Sequence, residues 1–408
     1  MHTLTSSGRS VKPSASPQVS GGGRRILIGA DTFPPDVNGA ARFSRDHAVR
    51  LARKGHSVHI VAPATGRRAS AGYEQFDDVW LFVHRLPSLR WPLHDWLRFA
   101  PPWEARTRVR SILKTVKPDV VHIQSFLGIG RALAIESHSR EIPTIATNHV
   151  MPENVLEYSG LPQPIHPVLT RYGWSLARST YARVGAVTSP TPIAARYLQQ
   201  HTGLGRVEPI SCGIDTGRFT PKRCRPETSS VLYVGRLDRE KNLHTLVEAF
   251  ALVRQSQRAT LDIVGKGSER EGLEQRARSL GIASDVRFHG LVSDDQLVRL
   301  HHQASVFVMP SPAELQSLAT LEALSSATPA VVADAMALPH LVTDGVEGFR
   351  AAVDDPASFS TGITRILQAS AAEYERYMQA ALRRAAQHDS HHVLTQYEHL
   401  YDRTASLV

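Results

Sequence analysis

Cysteine is nearly missing. The 408 residues contain only Cys212 and Cys224, too few for a disulfide framework and without metal-ligand spacing, so a reducing compartment and no structural metal are expected. No apolar run reaches the eighteen or so residues that a spanning helix needs, and no apolar signal segment follows the N-terminus. The expectation is a soluble, cytoplasmic protein. There is no G-x-G-x-x-G and no P-loop spacing, which removes support from dehydrogenase and kinase readings. An Asp-x-Asp metal motif is also missing, as are zinc modules and basic helices carrying base-stacking aromatics, so no nucleic-acid partner is expected.

Order is lacking at the start as well. The first 23 residues are rich in Ser, Gly and Pro with a single Leu, and cannot bury enough apolar surface to offset their ordering entropy; residues 1–23 read as a disordered tail. The remaining chain is long for one core, and two domains are expected, at 24–209 and 210–389. The net charge of +9 is unevenly shared: residues 1–210 carry 26 Lys and Arg against 14 Asp and Glu, a balance of +12, and the remainder is −3. From Trp80 to Arg110, Trp91, Trp96, Phe99 and Trp103 interleave with Arg85, Arg90, Arg98, Arg106 and Arg108. That mixture suits an anionic membrane surface, and equally a strand and loop with aromatics inside and Arg solvated.

Along the chain, apolar strands alternate with helices. Arg24–Ala30 reads as a buried strand, followed by a loop ending in Asn38-Gly39, a helix to about Lys54 and a second strand, Ser57–Ala62. Pro118–Gln124, Pro143–Val150 and Gly185–Ser189 continue the series, and Val231–Leu237, Leu261–Val264, Val286–Leu291, Val306–Met309 and Ala330–Val332 begin it again. Such alternation argues doubly wound parallel sheets, whose functional groups collect at the carboxyl ends of strands. His149 stands at one such end, and His122 and Gln124 near another. The turn Gly265–Ser268 reads as the cap of the helix after it.

The most informative stretch is Val306–Asp334: a strand, a polar turn, a helix and a second strand, with Glu314 and Glu322 eight residues apart. Eight residues is a little over two helical turns, which places both acids on one side. The backbone N–H groups of Gln316, Ser317, Leu318 and Ala319 would form an anion-accepting helix end. Glu322 lies among Leu318, Leu321 and Leu324, where a carboxylate needs hydrogen-bond donors such as vicinal ribose hydroxyls.

This P-S-P-x-E-x-x-S-L-x-x-L-E-A-L segment resembles the retaining sugar-nucleotide glycosyltransferases of family 4, and G-R-L-x-x-x-K-N (Gly235–Asn242) and C-G-I-D-x-x-x-F (Cys212–Phe219) extend the resemblance from about Arg24 to the end. It implies a GT-B architecture, two doubly wound Rossmann-like α/β domains facing across a cleft, with a C-terminal helix near 390–408 returning to the first. The resemblance assigns catalytic roles to His149 and Glu314, with Glu314 orienting the donor hexose. It gives the donor diphosphate to Arg236, Lys241, Gly39, Ser317 and Leu318, the ribose to Glu322, and the base to the backbone of Phe288, His289 and Gly290. Glu153, Asn38 and His122 would lie on the acceptor side.

No cofactor is implied beyond the nucleotide-sugar co-substrate, and no metal. The donor, GDP-mannose or a UDP-hexose, stays open, as does the acceptor: a membrane lipid or lipid-linked glycan, a soluble metabolite or an inositol. A peripheral position on the inner face of the membrane is the expectation for a lipid acceptor. The rivals on the same architecture are a non-catalytic scaffold and a sugar-nucleotide epimerase. The chain departs from the family pattern at Ser317 and Ala40, where glycines are usual, and at Gln124, where a second histidine is frequent.

Overall fold

The computed structural model of the chain describes residues 22–36, 38–90, 98–157 and 161–406. Trp91, Trp96 and all but the last two residues of the N-terminal tail lie outside them. The chain divides into two compact units, one comprising Met1–Ser189, Tyr197–Glu208 and Leu394–Val408, the other Pro190–Arg196 and Pro209–Val393.

The first sheet is built from β1 (Arg25–Gly29), β2 (Ser57–Pro63), β3 (Ser70–Phe76), β4 (Val79–Leu86), β7 (Val120–Ile123), β8 (Thr144–Thr147), β9 (Ala186–Ser189) and β10 (Glu208–Pro209), while β5 (Leu89–Arg90) and β6 (Arg98–Phe99) pair separately. Its order is β10-β9-β8-β7-β1-β2-β4-β3. β1, β2, β4, β7, β8 and β9 run parallel. β1, β2, β7, β8 and β9 are nearly continuous buried runs, as expected where helices cover both faces of a parallel sheet, while β4 is only partly buried. The helix Gly39–Arg53 starts where Asn38 Oδ1 accepts from Ala41 N–H at 2.8 Å, and buries one stripe that includes Phe43, His47 and Leu51.

Two elements escape the sequence reading. β3 is polar and largely exposed. It is held by antiparallel pairing with β4 and by the Arg85 fork on Glu74, at 2.8 and 2.6 Å. Residues Pro102–Val116 form a helix rather than a loop, so Arg106 and Arg108 lie on a helix surface and Trp103 stands 74% exposed near its start.

The helix Ser390–Ala405 closes the chain. Its Tyr401 hydroxyl lies 2.7 Å from His47 Nε2 and 2.9 Å from His122 Nδ1, and its Tyr397 hydroxyl lies 3.2 Å from Thr147 Oγ1. This polar knot is buried beneath the first sheet, where groups that cannot reach water must satisfy one another.

The second sheet contains β11 (Ser230–Val234), β12 (Thr260–Val264), β13 (Val286–Gly290), β14 (Val306–Met309), β15 (Ala330–Ala333) and β16 (Gly348–Ala351), all parallel, in the order β13-β12-β11-β14-β15-β16. Numbered within the unit this is 3-2-1-4-5-6, the dinucleotide-fold order. Strand order reverses between β11 and β14, and between β1 and β7 in the first sheet; crevices for ligands form outside the carboxyl ends at such points.

At those ends the glycine loops lie backbone on backbone. Gly235 N–H donates to Val264 O at 3.0 Å, Leu237 N–H to Lys266 O at 2.9 Å and Gly265 N–H to Gly290 O at 2.9 Å. A Cβ on Gly265 would stand 1.8 Å from Gly235 O, at a φ of +138°. The expected helix cap is therefore corrected: the helix Arg270–Ser279 has no side-chain cap, and Gly265 and Gly267 serve close backbone approach. Gly265→Ala is expected to cost roughly 3 kcal/mol of stability by chemical denaturation. Gly39→Ala, where a Cβ meets nothing within 4 Å, should change it by less than about 0.5 kcal/mol. Equal losses at the two positions would contradict this account.

Candidate active site

In the second unit the reversal point carries a charged cluster. Arg236 follows β11, and the short turn Arg239–Lys241 brings Lys241 to the same edge, where Glu314 arrives from the loop after β14. Lys241 Nζ lies 2.7 Å from Glu314 Oε1 and 3.2 Å from Glu240 Oε1. Arg236 pairs with Asp238 and Glu240, each at 2.5 Å. Burial pulls the Lys241 ammonium down, but Glu314 and Glu240 outweigh it and its pKa is raised. Lys241 is thus a fixed cation.

Two cations facing three carboxylates form a cluster in which both cations are already paired, and which an arriving polyanion must rearrange. The structure brings together Arg236, Lys241 and Glu314, as expected from the sequence. It adds Asp238 and Glu240, which the acid-base alternation of D-R-E-K could have revealed.

The helix after Glu314 is Leu318–Ser325, with Ser317 as N-cap accepting from Thr320 N–H at 3.2 Å. Glu314 stands four residues before this helix, so helical periodicity does not relate it to Glu322, and the expectation that the spacing sets both acids on one side is corrected. Gln316 turns away, its Oε1 accepting from Cys212 N–H at 2.7 Å and its Nε2 donating to Ser211 Oγ at 2.9 Å. The N–H groups of Leu318 and Ala319, in the first helical turn, have no intrahelical carbonyl within reach. Glu322 is 1% exposed, and its Oε2 lies 3.5 Å from Nε2 of His301.

Phe288, His289 and Gly290 end β13. His289 Nε2 meets Asp262 Oδ1 at 2.8 Å, and the Arg270 guanidinium lies over the Phe288 ring at 5.7 Å. Both side chains are thereby engaged within the unit.

In the first unit His149 follows β8. Its Nε2 lies 3.0 Å from Gln124 Oε1, its ring 4.8 Å from that of Phe43, and burial pushes its pKa down to about 3. It is a neutral imidazole at physiological pH. Gln124 is 3% exposed, and its Nε2 has no hydrogen-bond partner among the described residues.

Asn38 is spent on capping, and Gly39 faces open space. His122 lies inside β7, 0% exposed, with Nδ1 on Tyr401 and Nε2 on Thr147 at 2.7 Å. It is a core histidine rather than an acceptor-facing one, because the C-terminal helix covers it. Glu153 accepts from Trp174 Nε1 at 2.8 Å and from the Tyr197 hydroxyl at 3.4 Å, while its Oε2 has no hydrogen-bond partner among the described residues. Among the described residues no group of three or more His, Cys, Asp or Glu could hold a metal ion.

Residues 37–218 match the family described as Glycosyltransferase Family 4, and residues 221–385 match Glycosyl transferases group 1. The chain is 25% identical over 339 residues to the alpha-monoglucosyldiacylglycerol synthase of Streptococcus pneumoniae, covering 79% of this chain and 74% of that protein. It is 27% identical over 400 residues to the glycogen synthase of Mycobacterium tuberculosis, covering 92% and 94%. The GDP-mannose-dependent alpha-mannosyltransferase of Mycolicibacterium smegmatis is 27% identical over 369 residues, covering 88% and 92%.

Among solved structures the fold is similar to that of sucrose-phosphate synthase from Thermosynechococcus elongatus, with a TM-score of 0.77 at 18% identity, covering 94% of this chain and 100% of that one. Two Rossmann-like sheets with the charged cluster at a reversal point, and two adjoining family matches, agree: the chain is a GT-B glycosyltransferase, carrying the family 4 domain in its first half and the group 1 domain in its second.

Proposed function

We propose that the chain moves a hexosyl group from a nucleotide sugar, GDP-mannose or a UDP-hexose, to a hydroxyl of a membrane lipid or lipid-linked glycan, with retained anomeric configuration and without a metal ion. The observation that carries this reading is the Arg236–Lys241–Glu314 cluster at the reversal point of the second sheet. As the glycosidic bond breaks, negative charge builds on the leaving diphosphate. Two fixed cations and the first N–H groups of Leu318–Ser325 supply there the charge that a divalent ion supplies elsewhere.

Lys241 has three N–H donors and can hold Glu314, Glu240 and a phosphate oxygen together. Glu314, tethered by Lys241, is then positioned to accept from a hexose hydroxyl. His149, neutral and fixed against Gln124, is suited to a hydrogen bond with a sugar hydroxyl rather than to carrying charge. Glu322 takes the ribose. In front-face transfer the leaving diphosphate itself accepts the acceptor's proton, so no carboxylate nucleophile is required.

The lipid acceptor is favoured by apolar side chains left in water on the first unit. On the helix His166–Tyr181 and the residue before it, Ile165, Val168 and Tyr172 recur at helical spacing and are 41%, 70% and 65% exposed, beside Arg171. A stripe of this composition suits a headgroup interface. A soluble acceptor is the second reading.

The test is a panel of UDP-, GDP-, ADP- and TDP-sugars with EDTA present, following thermal shift and slow hydrolysis to free nucleotide. One donor should stabilise the protein and be hydrolysed, and proton NMR of the transferred sugar should show the donor's anomeric configuration. Absence of binding by every donor would leave the scaffold reading in its place. Val168→Ser with Tyr172→Ser should weaken sedimentation with anionic vesicles without altering donor hydrolysis; unchanged sedimentation would favour the soluble acceptor.

A further inference from the structure

Glu314 reaches Lys241 from a loop without regular structure. Between β14 and the helix Leu318–Ser325, residues 310–317 belong to no strand or helix. No ladder of backbone bonds fixes the carboxylate there, so its place depends on where the polar groups of the loop find partners. Three consecutive residues are each held by a different part of the second unit. Glu314 O accepts from Ala337 N–H at 3.1 Å and Leu315 O from Thr191 Oγ1 at 3.0 Å. The Gln316 amide accepts from Cys212 N–H at 2.7 Å and donates to Ser211 Oγ at 2.9 Å.

The orientation of that amide is dictated by its partners. A backbone N–H can only donate, so Cys212 must meet Oε1, and Nε2 is left to donate to Ser211. The serine hydroxyl is then fully used: it accepts from Gln316 Nε2 and from Gly213 N–H at 3.1 Å, and donates to Nδ1 of His388 at 2.9 Å. Burial lowers the pKa of His388 to about 4, so the ring is neutral and its Nδ1 is free to accept. The partners are braced in turn. Ile214 N–H donates to His388 O at 2.8 Å and Ser390 N–H to Ile214 O at 3.0 Å, which joins the two backbone segments. An apolar side chain at 316 could cover the same surface, but it would leave Cys212 N–H without its acceptor and set no direction for the loop.

We propose that Gln316 is a positioning residue for the transfer: its amide clamps the loop after β14 to Ser211 and Cys212, and so holds the Glu314 carboxylate at Lys241 before any donor arrives. The inference rests on the reading of Glu314 as the group that orients the donor hexose. Gln316, two residues further along the loop, acts only through Glu314, as a supporting hydrogen bond acts through the group it holds.

The readout is donor hydrolysis by the full chain, set beside the dissociation constants of UDP and GDP, which lack the hexose. Gln316→Met keeps the length of the side chain and removes both hydrogen bonds. It should lower kcat about tenfold, and no further than Glu314→Ala does, while the affinity for UDP or GDP changes less than about twofold. In the Glu314→Ala background the same substitution should change kcat by less than about twofold, since the group it positions is gone. Ser211→Ala removes one of the two anchors, and serves also if Gln316→Met does not fold. It should cost about threefold in kcat, again only where Glu314 is present.

Turnover of no donor, or unchanged turnover in Glu314→Ala, would overturn the reading of Glu314 and this inference with it. Turnover lost in Glu314→Ala but kept in Ser211→Ala and in folded Gln316→Met would overturn the inference alone. So would an equal loss from Gln316→Met with and without Glu314, or a loss of UDP and GDP affinity as large as the loss in kcat, which would place the effect of Gln316 on the phosphates.

Discussion

Replacing Lys241 by methionine is expected to lower turnover about a hundred- to a thousandfold, the loss typical when one fixed group facing developing charge is removed. The substitution keeps the length of the side chain and removes only its charge and donors. In the cluster that charge is shared between Glu314 at 2.7 Å and Glu240 at 3.2 Å. Its removal therefore has two consequences. The diphosphate loses a cation, and Glu314 loses the tether that fixes it for the hexose.

Glu314→Gln removes the second function alone and should cost less. Because the two residues act through one contact, the double variant should be no worse than about tenfold below Lys241→Met, far short of the product of the single losses. Steady-state rates for the four proteins check this. Full additivity would show that Lys241 and Glu314 act independently and would dissolve the cluster as a functional unit. Arg236, already engaged by Asp238 and Glu240, predicts a different pattern: Asp238→Asn should remove one of the competing negative charges and tighten the binding of inorganic pyrophosphate.

Mild acid should destabilise the first unit steeply. Burial lowers the pKa of His47 and His149 to about 3 and of His59 and His84 to about 4, and carries that of His122 well below the ordinary value. In the unfolded chain these rings titrate near 6.5. Above that pH both states hold them neutral and pH has no leverage through them. Below it the unfolded chain binds protons that the folded unit refuses, so stability falls with pH, and continues to fall until the folded values near 3 to 4 are reached.

Each ring contributes about 1.4 kcal/mol per pH unit. His47 and His149 together amount to roughly 4 kcal/mol between pH 6.5 and 5, a large part of an ordinary domain's stability. Asp31 and Asp36, whose carboxyls burial raises, act in the opposite direction, losing their contribution as pH rises from the ordinary 3.8 through their raised folded values, and so offset part of the slope there. Denaturation followed at pH 7, 6 and 5 tests the expectation. His47→Gln should flatten the slope by about one proton; a slope unchanged in that variant would show that the His47–Tyr401 contact does not exclude the charged ring.

The alternation of apolar runs and helical stretches determined two doubly wound units, because a strand covered on both faces must be apolar throughout and its period is visible locally. Short motifs likewise placed Arg236, Lys241 and Glu314 in strand-to-helix loops at one sheet edge, since such a loop keeps its residues near that edge wherever the helices go, while the Lys241–Glu314 pairing came from the structure. Polar β3 was not visible, because its place depends on pairing with β4 and on the Arg85 fork.

Nor could the sequence separate one strand histidine from another. His149 stands past the end of β8, while His122, in a similar apolar run, is covered by Tyr397 and by Tyr401, the latter 279 residues further along the chain. The same holds for Glu322, which lies 3.5 Å from His301 of the helix before β14. Local pattern determined which residues belong to which strand and loop. Only the tertiary structure decided which buried polar groups meet, because the exclusion of water that forces them to pair is a property of the assembled core.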